Sequence, residues 1–417
     1  MQHDLHPDKK TLPSDLSAPG VVDRARTYMA WIGIAFGVAS IVAASLNIDK
    51  FLHAYVLGYM LWTGVSVGCL ALLMLQHLSG GKWGLIVRRL LEASTRNLWL
   101  MAVLFLPIGL GMKHLYARSL GPNALSESLR KYVENESFRS LYLKPTFFWA
   151  RAAIYFALWI GFATVLNKWS VQRDSEPASS QPRWTMRFEN VSGIGLVVYA
   201  LTITFASIDW VMSMDAAWFS TIYGLLFLAG QGLSSLSVVI ITLVMLSKEN
   251  PMRDLLRKTE LHDLGKLMLA FVMLYAYLGF SQFLIIWSGN LSEEIPWYLN
   301  RLRGGWQYIG LLVVMGHFVL PFALLLSRSL KKNPKLLTGV AAWILFARMA
   351  DLYWLIEPNY KVNDTIEISF HLAYIAVPIA MGALWAWAFL TQLKRRPLLA
   401  VNDPQLEELL ELEHAAV

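Results

Sequence analysis

Leu336–Ile356 reads LLTGVAAWILFARMADLYWLI, a run of 21 residues in which only Arg348 and Asp351 carry charge. A helix of about 20 apolar residues crosses a hydrocarbon core about 30 Å thick, so this stretch is long enough to span a bilayer. Similar stretches occupy Thr27–Ser45, Phe51–Leu75, Asn97–Met112, Phe147–Leu166, Val191–Met212, Trp218–Leu246, Leu264–Trp287, Gly305–Leu326 and Ile368–Leu390. Hydrophobic residues make up 56% of the chain and charged ones 16%. The expected fold is all-α and polytopic, with about ten transmembrane helices.

The net charge of +7 is not gathered into one patch. Counted along the alternating ends of the spans, 24 Lys and Arg fall on one side and 10 on the other, six of these in the loop 113–146. The positive-inside rule places both termini on the basic, cytoplasmic side. The basic balance therefore concerns membrane orientation and not nucleic acid. Residues 1–26 are polar and mixed in charge, with no apolar core of a cleavable signal, so the first span is expected to act as an uncleaved anchor. Cys69 is the single cysteine. It permits no intrachain disulfide, no CxxCH haem attachment and no thiolate set for zinc or an Fe–S cluster. Metal ligands for redox chemistry would have to belong to partner chains.

Residues 1–26 are expected to be a disordered lead, Asp174–Pro182 (DSEPASSQP) a flexible linker, and 397–417 an acidic cytoplasmic tail. Asp403–Glu413 (DPQLEELLELE) combines an Asp cap, an early Pro and leucines among carboxylates, which suits a short docking helix or a frayed tail. The chain also echoes itself. Phe51-Leu-His-Ala-Tyr55 returns as Phe219-Ser-Thr-Ile-Tyr223, and Arg88-Arg-Leu-Leu91 as Arg253-Asp-Leu-Leu256, about 165–168 positions later. A unit of four helices keeps its copies in one orientation, giving a parallel repeat about an axis normal to the membrane. On that reading 51–212 is one four-helix bundle, 213–367 a second, and the helices within 27–50 and 368–396 are peripheral.

A charge in hydrocarbon costs roughly 2.5–3.5 kcal/mol on insertion scales, so each one asks for a reason. Arg348 and Asp351 stand at i, i+3 on one helix face and can pair. At about 1.5 Å per residue they lie roughly 18 and 22 Å from Leu336, and His317, on the neighbouring span, falls about a helical turn deeper than Arg348. Tyr275, Tyr277, Ser281 and Gln282 add hydroxyl and amide groups. Two readings fit: a proton path or quinone pocket, or an internal ion pair with a satisfied histidine that fixes helix register. A second group gathers near the outer surface: Asp209, Asp215, His53, Arg151, Glu357 and His371. Asp215 suits a helix cap before Trp218. Asp209 ends an outward-running helix, where the dipole prefers a cation. Haem b would need facing His pairs at matching depth, and His317 has no evident mate.

Two long motifs carry a resemblance. One is Asp209-Trp-Val-Met-Ser-Met-Asp-Ala-Ala-Trp-Phe-Ser-Thr-Ile-Tyr-Gly224. The other comprises Asp263-Leu-Gly-Lys266, Phe271, Ser281-Gln-Phe-Leu-Ile-Ile-Trp-Ser-Gly-Asn290 and Glu293-Glu-Ile-Pro-Trp-Tyr-Leu-Asn-Arg301. Over most of residues 20–395 the chain resembles the F-type membrane component of alternative complex III, the bacterial quinol:electron-acceptor oxidoreductase, within the NrfD-like membrane proteins. The family pattern has Glu-Pro where Asp215 and Ala216 stand, which puts a proton-relay role for residue 215 in doubt and leaves a capping role. The resemblance implies ten helices in two four-helix bundles and a multi-pass protein of the bacterial inner membrane. It implies as partners an NrfD-like paralogue, a periplasmic Fe–S subunit, multihaem cytochromes c and a terminal oxidase. Haem and Fe–S groups would sit in those partners, and quinone or menaquinone would be the ligand here, if any. In the family the better-supported quinol site belongs to the paralogue, while the component this chain resembles gives packing, proton half-channels or a second quinone site. Asp351, Arg348 and His317 are then the proton-transfer candidates, with Asp209, Asp215, Tyr275, Tyr277, Gln282 and His371 along a quinone or proton pathway. A secondary transporter with parallel repeats and a non-catalytic assembly scaffold are the alternatives.

Overall fold

The computed structural model describes residues 16–116, 142, 144–215, 218–360, 368, 371–400 and 403. Among them there is no β-strand, and ten helices are long and apolar enough to cross a membrane. The chain is a multi-pass, all-α membrane protein. In order, α1 is Gly20–Leu46, α2 Ile48–Ser79, α4 Pro145–Ser175, α5 Gln181–Trp210 and α6 Tyr223–Leu246. They are followed by α7 Lys258–Gly289, α9 Pro334–Ile356 and α10 Ala373–Leu393. The third span, α3, begins with Lys82–Thr95 and continues through Leu98–Leu104 and Leu106–Leu110; the eighth, α8, is Trp306–Leu326 with a π-helical middle at Val313–Val319.

Most spans are longer than hydropathy alone suggests, because contacts remote in sequence stabilise their polar ends. Helix α1 starts at Gly20, inside the expected lead, and its first turn is capped from elsewhere: Glu249 accepts from Val21 N–H at 3.1 Å and from Arg24 at 2.5 Å. The expected linker Asp174–Pro182 is a tight connection, helical to Ser175 and again from Gln181, with Trp184 Nε1 donating to Glu176 at 2.8 Å. Arg88, Arg89 and Arg96, read as loop residues, lie on α3, where the first two are buried. The start of the tail is packed as well: Leu398, Leu399 and Ala400 are buried, and Leu398 N–H donates to Leu16 C=O at 2.8 Å. Of the proposed docking helix only Asp403 is described, and most of loop 113–146 likewise lies outside the described residues.

The core is built around α2 and α6, the most enclosed spans. They pack on each other, α2 also meeting α5, α9 and α10, and α6 meeting α5, α7 and α9. Their crossing is close because α2 presents small residues: a Cβ on Gly68 would fall 2.6 Å from the Gln231 carbonyl oxygen, and Ser235 Oγ donates to Val65 C=O at 3.0 Å. Gly64 and Gly68 thus form the small-xxx-small face by which membrane helices approach. Helix α1 lies outside, packed mainly on α10 and largely exposed, whereas α10 is itself buried through Tyr374, Met381, Trp385 and Phe389. Helices α7 and α8 turn broad apolar faces outward.

Candidate functional site

Three helices converge on one buried polar cluster. Arg348 and Asp351, one turn apart on α9, form an ion pair and are 2% and 1% exposed. From α7, Tyr275 Oη donates to Asp351 Oδ2 at 2.5 Å and sits 3.4 Å from an Arg348 nitrogen. Arg348 also lies over the rings of Phe227 and Tyr275, each about 5.5 Å from centroid to guanidinium carbon. It has room there because α6 carries Gly230, where a Cβ would collide with the guanidinium. The sequence reading missed Gly230: a glycine inside an apolar helix signals close approach, but not to what.

His317 completes the group. Its ring stands edge-to-face against Tyr275 at 4.6 Å and is 1% exposed. Neither ring nitrogen has a hydrogen-bond partner among the described residues. A buried polar group left unpaired costs free energy and asks for an explanation, a ligand among them. His317 also lies on the π-helical turn Val313–Val319, a rare feature that frequently marks functional sites. That turn frees backbone groups, and Trp343 Nε1 donates to Gly316 C=O at 2.8 Å.

No protein-family model and no curated protein matches this chain.

The other candidates are spread more widely. Tyr277 is 67% exposed on the outer face of α7, because an i+2 neighbour of Tyr275 points away from the same core; it takes no part in the cluster. Gln282, two turns beyond Tyr275, accepts from Ser220 Oγ at 2.9 Å and donates to Tyr298 Oη at 3.3 Å, tying α7 to the turn before α6. Burial pushes the Tyr298 phenol up to about 12, so it stays protonated. Asp215 Oδ1 accepts from Trp218 N–H at 3.3 Å, although α6 itself begins only at Tyr223. His371 Nδ1 accepts from Ala373 N–H at 3.3 Å at the start of α10.

Asp209 is bound in a way the sequence did not reveal. Arg151 of α4 grips it with Nε at 2.7 Å and Nη2 at 2.9 Å, and Tyr155 Oη donates to it at 2.7 Å. This two-pronged guanidinium–carboxylate pair explains a carboxylate at a helix C-terminus, where the dipole alone disfavours it. His53 and Glu357, assigned separately to the outer surface, face each other across α2 and the end of α9 at 3.4 Å, with Tyr360 stacked on His53 at a ring distance of 3.3 Å. Arg301, noticed only as part of a motif, is 1% exposed and closes the end of α9. It donates to the carbonyls of Trp297, Trp354 and Leu355 and to Asn359 Oδ1, all within 3.0 Å. Burial pulls its guanidinium down to about 9, still charged at neutral pH.

Proposed function

We propose that this chain is a membrane subunit of a quinol-oxidising respiratory complex of the alternative complex III type, with both termini cytoplasmic in a bacterial inner membrane. The observation that carries this reading is the buried Tyr275–Asp351–Arg348 cluster beside an unpartnered His317 on a π-helical turn. Oxidising a quinol releases two electrons and two protons, so such a site needs a proton acceptor within hydrogen-bond reach of the quinol hydroxyl. His317 supplies a ring nitrogen that can accept. Tyr275, packed against the His317 ring, holds the Asp351 carboxylate in place together with Arg348. The electrons pass to haem and Fe–S groups of partner subunits, since one cysteine leaves this chain no thiolate set of its own. The outward apolar faces of α7 and α8 suit a paralogous membrane subunit.

Purification of the tagged protein in mild detergent, followed by haem staining and mass spectrometry, tests the assembly. Multihaem cytochromes, an Fe–S protein and an NrfD-like paralogue should co-purify, and a haem-free preparation of this chain alone would sink the proposal. Within an intact complex, Asp351→Asn should slow quinol oxidation or proton release. Unchanged turnover and unchanged release would remove Asp351 from the mechanism.

A further inference from the structure

At the end of the bundle where the basic residues gather, α3, α4 and the last turn of α10 enclose an open groove of about 580 Å³. Arg96, Lys168 and Arg396 line it, and no Asp or Glu does. Glu92 and Asp174, on the same two helices, are paired with Arg89. The three cations are not equally engaged. Arg396 donates to Asn167 Oδ1 at 3.0 Å and sits 3.4 Å from Glu92. Arg96 gives one nitrogen to Gln392 C=O at 2.8 Å, while its buried Nε has no partner among the described residues. Lys168 is exposed and forms no ion pair among the described residues.

The groove changes character along the bundle. Helix α3 runs away from the basic end and α4 runs toward it, so Trp99, Ile160 and Ala163 lie deeper in the bilayer than Arg96 and Lys168. Its neighbours on the outer face of α4, Leu158 and Val165, are exposed apolar residues. A cationic rim above an apolar wall, opening sideways between spans, has the polarity of one lipid molecule standing in its own leaflet. Basic pockets between membrane helices recognise anionic headgroups in this way.

We propose that this groove binds one anionic phospholipid, its phosphate between Arg96 and Lys168 and its acyl chains along Trp99 and Ile160. The apolar wall favours a lipid over free phosphate, and the sideways opening favours it over a soluble peptide.

The test uses the purified full-length chain, delipidated in neutral detergent and titrated with phosphatidylglycerol, phosphatidylcholine or inorganic phosphate, with native mass spectrometry as the readout. One phosphatidylglycerol should bind at least about tenfold tighter than phosphatidylcholine, and millimolar phosphate should not displace it. Lys168→Gln should weaken that binding about fivefold, the effect expected of one basic residue near an anionic group, and leave the lipid-free melting temperature unchanged. Lys335→Gln, an exposed lysine at the same end outside the groove, should do nothing. Equal affinity for the two lipids, equal losses in the two variants, or full displacement by phosphate would each overturn the proposal.

Discussion

Arg348 and Asp351 hold each other in a place where neither charge would survive alone. Removing one partner of a buried pair leaves an uncompensated charge and costs about 3–5 kcal/mol, whereas replacing both by apolar residues is often close to neutral. Arg348→Met should therefore lower the melting temperature sharply in detergent. The double substitution Arg348→Met with Asp351→Leu should recover most of the loss, and a thermal-shift comparison of the three proteins measures it. Gly230→Ala tests the same arrangement from across the interface, because its Cβ would push the guanidinium off Asp351. His317 behaves differently, since its ring makes no hydrogen bond among the described residues that its loss could break. His317→Phe should stay within about 1 kcal/mol of the parent in stability. In an assembled complex it should nonetheless cut quinol turnover by about a hundredfold or more, the lower range of a lost general base. Equal turnover in parent and variant would mean the ring only fills space.

The elements meet through small residues on helices that would otherwise read as uniformly apolar. Along α2, Gly64 and Gly68 face Gln231 and Ser235 of α6, and nothing larger fits at Gly68 because backbone carbonyl lies opposite. Overpacking such a contact costs about 1–3 kcal/mol, so Gly68→Ala should destabilise the protein by that amount in a detergent melt. Gly193→Ala on α5, whose nearest neighbour would be a leucine methyl at 4.0 Å, should be silent and serves as the control. The eighth span shows the opposite device. Its π-helical middle was invisible in the sequence, because hydropathy sums over residues and is blind to which carbonyl each amide meets.

Over the whole molecule, the two chain ends lock the basic face. Asp403 pairs with Arg88 and, at 3.0 Å, with Arg173, joining α3 and α4 through a residue from beyond α10. Arg88 Nε further donates to Gln76 of α2 at 3.1 Å, and Arg89 of α3 joins Glu92, Ser170 and Asp174. Deleting residues 398–417 should therefore unsettle the bundle rather than trim a loose tail. The expected result is a lower melting temperature and faster proteolysis at 80–96 and 173–182. Asp403→Asn should reproduce part of the effect, at about 1.5–3 kcal/mol for hydrogen bonds to charged groups. A truncated protein that melts like the full chain would show that these pairs contribute little.

Properties that add up locally were legible in the chain before any helix was placed. The number and approximate position of the spans follow from runs of apolar residues, because each such run satisfies its backbone internally once helical. The suspicion attached to Arg348, Asp351, Tyr275 and His317 was readable for the same reason, since polar groups stand out against an apolar run. The i, i+3 spacing also announced the Arg348–Asp351 pair, but not that Tyr275 and His317 would join it. Tyr277 and Tyr275 look alike in sequence, yet two positions on a helix turn one toward the lipid face and the other toward Asp351. Helix ends were misjudged where a distant partner stabilises a polar turn, as Glu249 does for α1 and Asp403 for α3. Those pairings came from the packing of the helices alone, because a charge-assisted pair depends on distance in space, and no run of neighbouring residues encodes that distance.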